Sequence, residues 1–301
     1  MFKALLALLM TSILHGQPLA QADFAYKTYW DREPLLSVQP IPTLEEGNAA
    51  IQEPKLTAES VIVIDLNSAK ILYKKNADIQ RPIASLTKLM TGLIIAEEET
   101  PYTIIKVSEE AAGIDGSTSF LNAGEELTVK DLTYGMMIAS GNDAAMALAA
   151  YNAGSMENFV RKMNDRAQKL GLKNTHFSNP MGFDTKTNYS TAQDMALLSM
   201  YVLQNEFLIK PANLTRYEFE SKSGIFHEFV STNELLNKEL TIPGVTIEGL
   251  KTGRTPEAGE CLIAVSKDKD GHRVLTVVLG SQARFQDTQK LIEWVYGNYQ
   301  W

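Results

Sequence analysis

Short β-branched runs stand at both ends of this chain, and helical periodicity fills the middle. Val61-Ile62-Val63-Ile64-Asp65 reads as a strand, Asn67-Ser68 as a turn and Ile71-Leu72-Tyr73 as a second strand, which together predict a hairpin. Pro82 then precedes a helix. Leu86, Leu89, Met90, Leu93 and Ile94 recur at i, i+3, i+4, i+7 and i+8, the stripe of a helix with one buried face. Residues 129–151 predict helix interrupted around Ser140-Gly141-Asn142, and amphipathic helices follow at about 155–170 and 191–203. The last third returns to strand patterns at Thr246–Lys251, Cys261–Ser266 and Arg273–Leu279, with Asp270-Gly271 turning between the last two. A helix over about 286–297 completes the order. Strands from both ends of the chain are therefore expected to share one mainly antiparallel sheet flanked by helices. The middle helices are expected to form an all-helical lobe beside it, giving an α/β fold of the α+β kind.

Upstream of the first strand the pattern changes. Lys3 is followed by a mainly apolar run of 11 residues, Ala4 to Leu14, and Ala20-Gln21-Ala22 has the small-x-small form of a cleavage site. Residues 1–22 thus read as a secretory signal, and the run is short against the ~20 residues that span a bilayer. An uncleaved anchor is the competing reading; cleavage would leave a mature chain with no membrane-spanning segment. Residues 23–58 carry Pro34, Pro40, Pro42 and Pro54 without a sustained period and read as a linker or arm. The folded domain is expected over 59–301.

Composition narrows the function by exclusion. The chain is 45% hydrophobic and 21% charged, an ordinary globular balance, and its net charge of −8 with no long basic run gives no footprint for nucleic acid. Cys261 has no partner for an internal disulfide and reads as a small buried hydrophobe in a strand. His15, His176, His227 and His272 fall in no metal-ligand spacing, so neither metal nor cofactor is expected. No G-x-S-x-G occurs, which disfavours the hydrolases built on that elbow.

Three short motifs carry the candidate chemistry. Ser85-Leu86-Thr87-Lys88 puts a hydroxyl at a helix start and an amine one turn later on the same face. A serine is a weak nucleophile that needs an adjacent base. A lysine serves only if burial or a second cation drags its pKa far below ~10.4. Ser140-Gly141-Asn142 sits at a helix break, where a hydroxyl can pass a proton and an amide can bind a carbonyl or position the lysine. Lys251-Thr252-Gly253 ends a strand. Its lysine is the candidate second cation, its threonine a candidate carboxylate donor, and its glycine lets substrate lie along the strand edge.

Each pattern alone is weak. A serine at a helix start is ordinarily a cap and a lysine one turn on is ordinarily solvated. Ser266-x-x-Lys269, Ser231-Thr232-Asn233 and Lys222-Ser223-Gly224 also match. Ser266, however, runs into a charged turn, and the other two fall in a β region with no serine-lysine helix. Only the set of Ser85, Ser140 and Lys251 has all three in order and in context. Asn179-Pro180-Met181-Gly182 reads as a structural turn under the site.

That set resembles the serine-type D-alanyl-D-alanine carboxypeptidases, the low-molecular-mass penicillin-binding proteins, which share S-x-x-K, S-x-N and K-T-G. Residues 82–91, 140–144, 171–175, 190–195 and 249–253 also look like family segments, and the likeness covers about 60–298. The resemblance implies a β-lactamase/transpeptidase-like fold and an acyl-enzyme on Ser85, with Lys88 taking its proton and Ser140 relaying it to the departing D-alanine. Asn142 would contact the substrate backbone. Lys251 and Thr252 would bind the terminal carboxylate, with Arg284 assisting. The N–H groups of Ser85 and Arg254 would form the oxyanion hole. It further implies a peptidoglycan stem peptide as partner, β-lactams as inhibitors, and a periplasmic or cell-wall location. Arg254 departs from the histidine common after K-T-G. The second β domain and amphipathic anchor frequent in the family are not expected after the final helix.

Three rivals share these residues. A class A type β-lactamase needs a carboxylate for the deacylating water, and residues 171–193 hold Asp184 and no glutamate. A peptidoglycan endopeptidase would use the same site. A catalytically silent wall-binding protein would be expected to have a broken motif, and all three are intact.

Overall fold

The computed structural model describes residues 41–44, 52–236, 238 and 240–301. The expected signal segment, 1–22, and most of the 23–58 arm lie outside the described residues.

The predicted hairpin forms as β2 (Ser60–Asp65) and β3 (Ile71–Lys75), after a short β1 (Thr43–Leu44). From the C-terminal third come β8 (Thr246–Thr255), β9 (Gly259–Lys267) and β10 (Arg273–Ser281). These join in one five-stranded sheet of order β3-β2-β10-β9-β8, antiparallel throughout, so the two ends of the chain share a sheet as the sequence predicts. The short β11 (Tyr299–Gln300) pairs with β1. Every residue of β2 is buried, because the strand is interior to the sheet and covered on both faces.

The middle of the chain supplies the helices α1 (Lys88–Glu98), α2 (Glu109–Ala112), α3 (Val129–Ile138), α4 (Asn142–Ala153), α5 (Met156–Lys169), α6 (Ala192–Val202) and α7 (Glu206–Ala212). Two small hairpins lie among them: β4 (Ile104–Lys106) with β5 (Glu126–Thr128), and β6 (Arg216–Glu220) with β7 (Phe226–Val230). The helix predicted after Pro82 starts later than its stripe suggests. Residues Ala84–Thr87 form a 3₁₀ turn, and the α-helix begins at Lys88. The stripe residues Leu86, Leu89, Met90, Leu93 and Ile94 are nonetheless all buried.

The last helix, α8 (Arg284–Asn298), lies on one face of the sheet. Leu291 and Val295 pack there on Val61, Val63, Val274 and Val278. Its first turn holds the fully buried Asp287. That carboxylate accepts from Thr57 N (3.1 Å), Thr57 Oγ1 (2.7 Å), Ala58 N (2.8 Å) and Ser281 Oγ (2.7 Å). The end of the arm is thereby fastened to the sheet. Asp287→Ala leaves two backbone N–H groups and two hydroxyls without their acceptor in a dry place. The substitution is expected to cost about 2–4 kcal/mol, measurable by urea unfolding.

Candidate active site

Among the described residues, five of the eight helices begin with a side-chain cap: Ser108, Thr128, Ser155, Thr191 and Asn205 each accept from an N–H of the first turn. The three that begin without one are α1, α4 and α8, which open on Lys88, Asn142 and Arg284. α1 and α4 start within the first and second motifs and α8 starts at Arg284; their first-turn donors find acceptors from elsewhere, Ala144 N–H on Asp143 Oδ1 and Arg284 N–H on Glu260 Oε2.

The 3₁₀ turn presents Ser85 half-buried while Lys88 is fully buried below it. Ala84, immediately before the serine, has φ 49°, a left-handed conformation that costs an L-residue roughly 1–2 kcal/mol. Strain of this kind collects at functional positions whose surroundings over-determine them. Here the surroundings are the predicted Asn179–Gly182 turn, in which Asn179 Oδ1 accepts from the N–H groups of residues 181, 182 and 183. A Cβ on Gly182, itself at φ 93°, would lie 2.0 Å from Ala84 O, so only glycine lets the two turns touch.

Lys88 Nζ lies 2.9 Å from Ser85 Oγ, 2.7 Å from Asn142 Oδ1 and 2.7 Å from Met181 O. The last two are carbonyls, which only accept. A neutral amine has two hydrogens and one lone pair. With its hydrogens given to the carbonyls, the lone pair faces the serine hydroxyl. Asn142 is held in turn: its Nδ2 donates to Asp115 O and its N–H to Ser117 O, both at 2.7 Å. The 115–121 loop that supplies these carbonyls hangs on buried Asp143, which accepts from Ser119 N and Leu121 N.

The predicted break between α3 and α4 is real, and Ser140 sits in it at φ 60°. Gly141 follows because a Cβ there would fall 2.0 Å from Ser119 Oγ. Ser140 Oγ accepts from Lys251 Nζ at 2.8 Å, and the same ammonium donates to Thr252 O at 2.9 Å. These lysine contacts bring the second and third motifs together on β8, where Lys251-Thr252-Gly253 lies within the strand rather than at its end, because pairing with β9 continues to Thr255.

β8 is an edge strand of the sheet, yet its centre is buried because the Ser85 turn lies against it. A Cβ on Gly253 would sit 3.1 Å from Ser85 N. Arg284, the first residue of α8, is half-buried and donates from Nη1 to Gly253 O at 2.8 Å. Arg254 is exposed, and its charge is felt at Arg284. Beyond it a cavity of about 500 Å³ opens, lined by Arg254, Thr255, Glu260 and Gln282 among others. Asp184 is committed elsewhere: its two oxygens accept from Thr255 Oγ1 and Glu257 N.

Of the other matching segments, Ser266 lies not in the expected charged turn but buried within β9. It donates toward Tyr296 OH and Val274 O, and Lys222-Ser223-Gly224 is the turn of the β6–β7 hairpin. The segment 231–233 differs: Thr232 Oγ1 lies 2.5 Å from Thr252 Oγ1. Sequence reading missed this residue, as it missed Asp143 and the carbonyls of Met181 and Asp115, which have no side-chain signature.

The electrostatics follow from burial. Lys88 is held well below the ordinary lysine range, first by desolvation, then by the charge of Lys251, with Asp143 opposing. Lys251 is pushed down to about 7, first by desolvation and then by Arg284. An unfolded lysine titrates near ~10.4. Between those values the unfolded chain binds the extra proton, so Lys251 makes stability rise with pH across that window. The Lys251→Met variant lacks this contribution. Its stability relative to wild type is expected to be greatest below pH ~7 and to decline toward pH ~10, in urea unfolding at fixed ionic strength.

Known proteins resemble this chain in sequence and in fold. A family described as D-alanyl-D-alanine carboxypeptidase matches residues 47–283. The D-alanyl-D-alanine carboxypeptidase DacF of Bacillus subtilis is 37% identical over 88% of this chain and 69% of its own length. DacC of Escherichia coli is 34% identical over 84% of this chain and 64% of its own. The chain thus spans roughly two thirds of these relatives. The crystal structure of the Streptomyces K15 DD-transpeptidase superposes with a TM-score of 0.75 at 28% identity, over 82% of this chain and 99% of that one. By its sequence, its fold and the gathering of its three motifs, this chain belongs to the D-alanyl-D-alanine carboxypeptidase family of serine peptidases.

Proposed function

We propose that the protein removes the terminal D-alanine from peptidoglycan stem peptides through an acyl-enzyme on Ser85. The observation that carries this is the buried Lys88 amine, 2.9 Å from Ser85 Oγ, with both its other contacts to carbonyls. In that setting the amine takes the serine proton as Oγ attacks the carbonyl carbon of the penultimate D-alanine. The oxyanion forms where Ser85 N–H meets β8, with Arg254 N–H as the second donor. Collapse breaks the peptide C–N bond. Ser140 gives its proton to the leaving amine and recovers one from Lys88. Lys251, Thr252 and Arg284 bind the terminal carboxylate, and substrate lies along the free edge of β8, with Gly253 permitting the approach and Asn142 contacting its backbone. Water, deprotonated by Lys88, then releases the acyl group.

Penicillins would acylate the same serine. The commitment of both Asp184 oxygens argues against rapid release by a carboxylate-activated water, and hence against a β-lactamase. The signal-like segment supports action outside the cytoplasm. Among the described residues no helix is long and apolar enough to cross a membrane.

A fluorescent penicillin should label the wild type covalently and Ser85→Ala not at all on a denaturing gel. Absence of label on folded wild type would remove the acyl-enzyme reading. For peptide hydrolysis, kcat/KM should rise with pH as Lys88 loses its proton at its depressed pKa. It should fall again above about pH 7, as Lys251, the carboxylate's cation, becomes neutral. A free pentapeptide should be cut faster than a cross-linked dimer; the reverse order would favour the endopeptidase.

A further inference from the structure

The segment Ser231-Thr232-Asn233 lies between the second and third motifs. Thr232 N–H donates to Ile138 O, two residues before Ser140, at 3.2 Å. Ser231 N–H donates to Thr215 O at 2.9 Å. Asn233 Oδ1 accepts from Leu235 N at 3.1 Å, and its Nδ2 lies only 2.7 Å from where a Cβ on Gly249 would stand. Glycine at 249 therefore lets this segment close on β8. So anchored on both sides, Thr232 places its hydroxyl 2.5 Å from that of Thr252, which is itself buried.

Each hydroxyl has one proton. At 2.5 Å one of the two must donate to the other. If Thr252 donates to Thr232, it has no proton for a carboxylate. If Thr232 donates, the Thr252 proton is directed outward, and an arriving anion favours that arrangement through a charge-assisted bond at the end of a polarised chain. We propose that Thr232 is a positioning residue for the substrate's terminal carboxylate, holding the Thr252 hydroxyl as a donor toward it. This role rests on the carboxypeptidase reading and adds to it a residue outside the three motifs.

The test compares two compounds that form the same acyl-enzyme. One is an acyl-D-alanyl-D-alanine peptide, and the other an acyl-D-alanyl thioester whose thiol leaving group carries no carboxylate. Thr232→Val removes the hydroxyl while keeping the shape, and Thr232→Ser keeps the hydroxyl. The ratio of kcat/KM for peptide over thioester should fall about 3- to 10-fold in the valine variant, the range of one hydroxyl hydrogen bond. Serine should restore it. A ratio unchanged in Thr232→Val, whether both rates fall together or neither does, overturns the proposal and leaves Thr232 a structural link. So does a serine variant that loses the ratio as fully as valine. If the wild type turns over neither compound, the carboxypeptidase reading falls, and this role with it.

Discussion

An amine buried with no carboxylate bonded to it is the constraint around which this molecule is arranged. Lys88 is fully buried, and its three contacts are a hydroxyl and two carbonyls. Desolvation disfavours its charge, and nearby Lys251 disfavours it further. Asp143, the acid whose charge opposes them, is spent on the backbone N–H groups of the 115–121 loop. Burial and the neighbouring Lys251 disfavour a charged ammonium in this place, and a neutral amine fits its three contacts. The cost to folding is the ordinary one for a site that must be reactive.

Much of the local geometry exists to keep that amine beside its serine. Ala84 and Ser140 adopt left-handed backbone, and the glycines at 182 and 141 make room where any Cβ would strike a neighbour. The sheet contributes an edge. β8 packs against the Ser85 turn at Gly253, and Lys251 reaches from it to Ser140.

The sequence made the fold legible where periodicity was strong. The β2–β3 hairpin, the helix break at Ser140 and the three C-terminal strands all fall near their predicted positions, because burial on one or two faces writes itself directly into the pattern. The helices α2 and α7 and the β4–β5 hairpin went unread, being short and held by tertiary contacts rather than by a sustained period, and the β6–β7 hairpin was legible only as a β region. The site was legible through its side chains, as Ser85, Lys88, Ser140, Asn142 and Lys251 converge. It was illegible where backbone does the work: the carbonyls of Met181 and Asp115 belong to residues with no functional signature. Thr232 was hidden for another reason. Its segment matches a motif, but its approach to Thr252 depends on how the β6–β7 hairpin docks, which no spacing encodes.

All of this requires Lys88 to be uncharged at working pH when Ser85 is free. Carbon-13 labelling of lysine side chains, with the Lys88 signal assigned by its loss in Lys88→Arg, gives the titration of that one amine directly. The expected midpoint lies well below the ordinary lysine range and rises when Lys251 is replaced by methionine. A Lys88 signal that stays in the protonated position up to pH ~10 would contradict it.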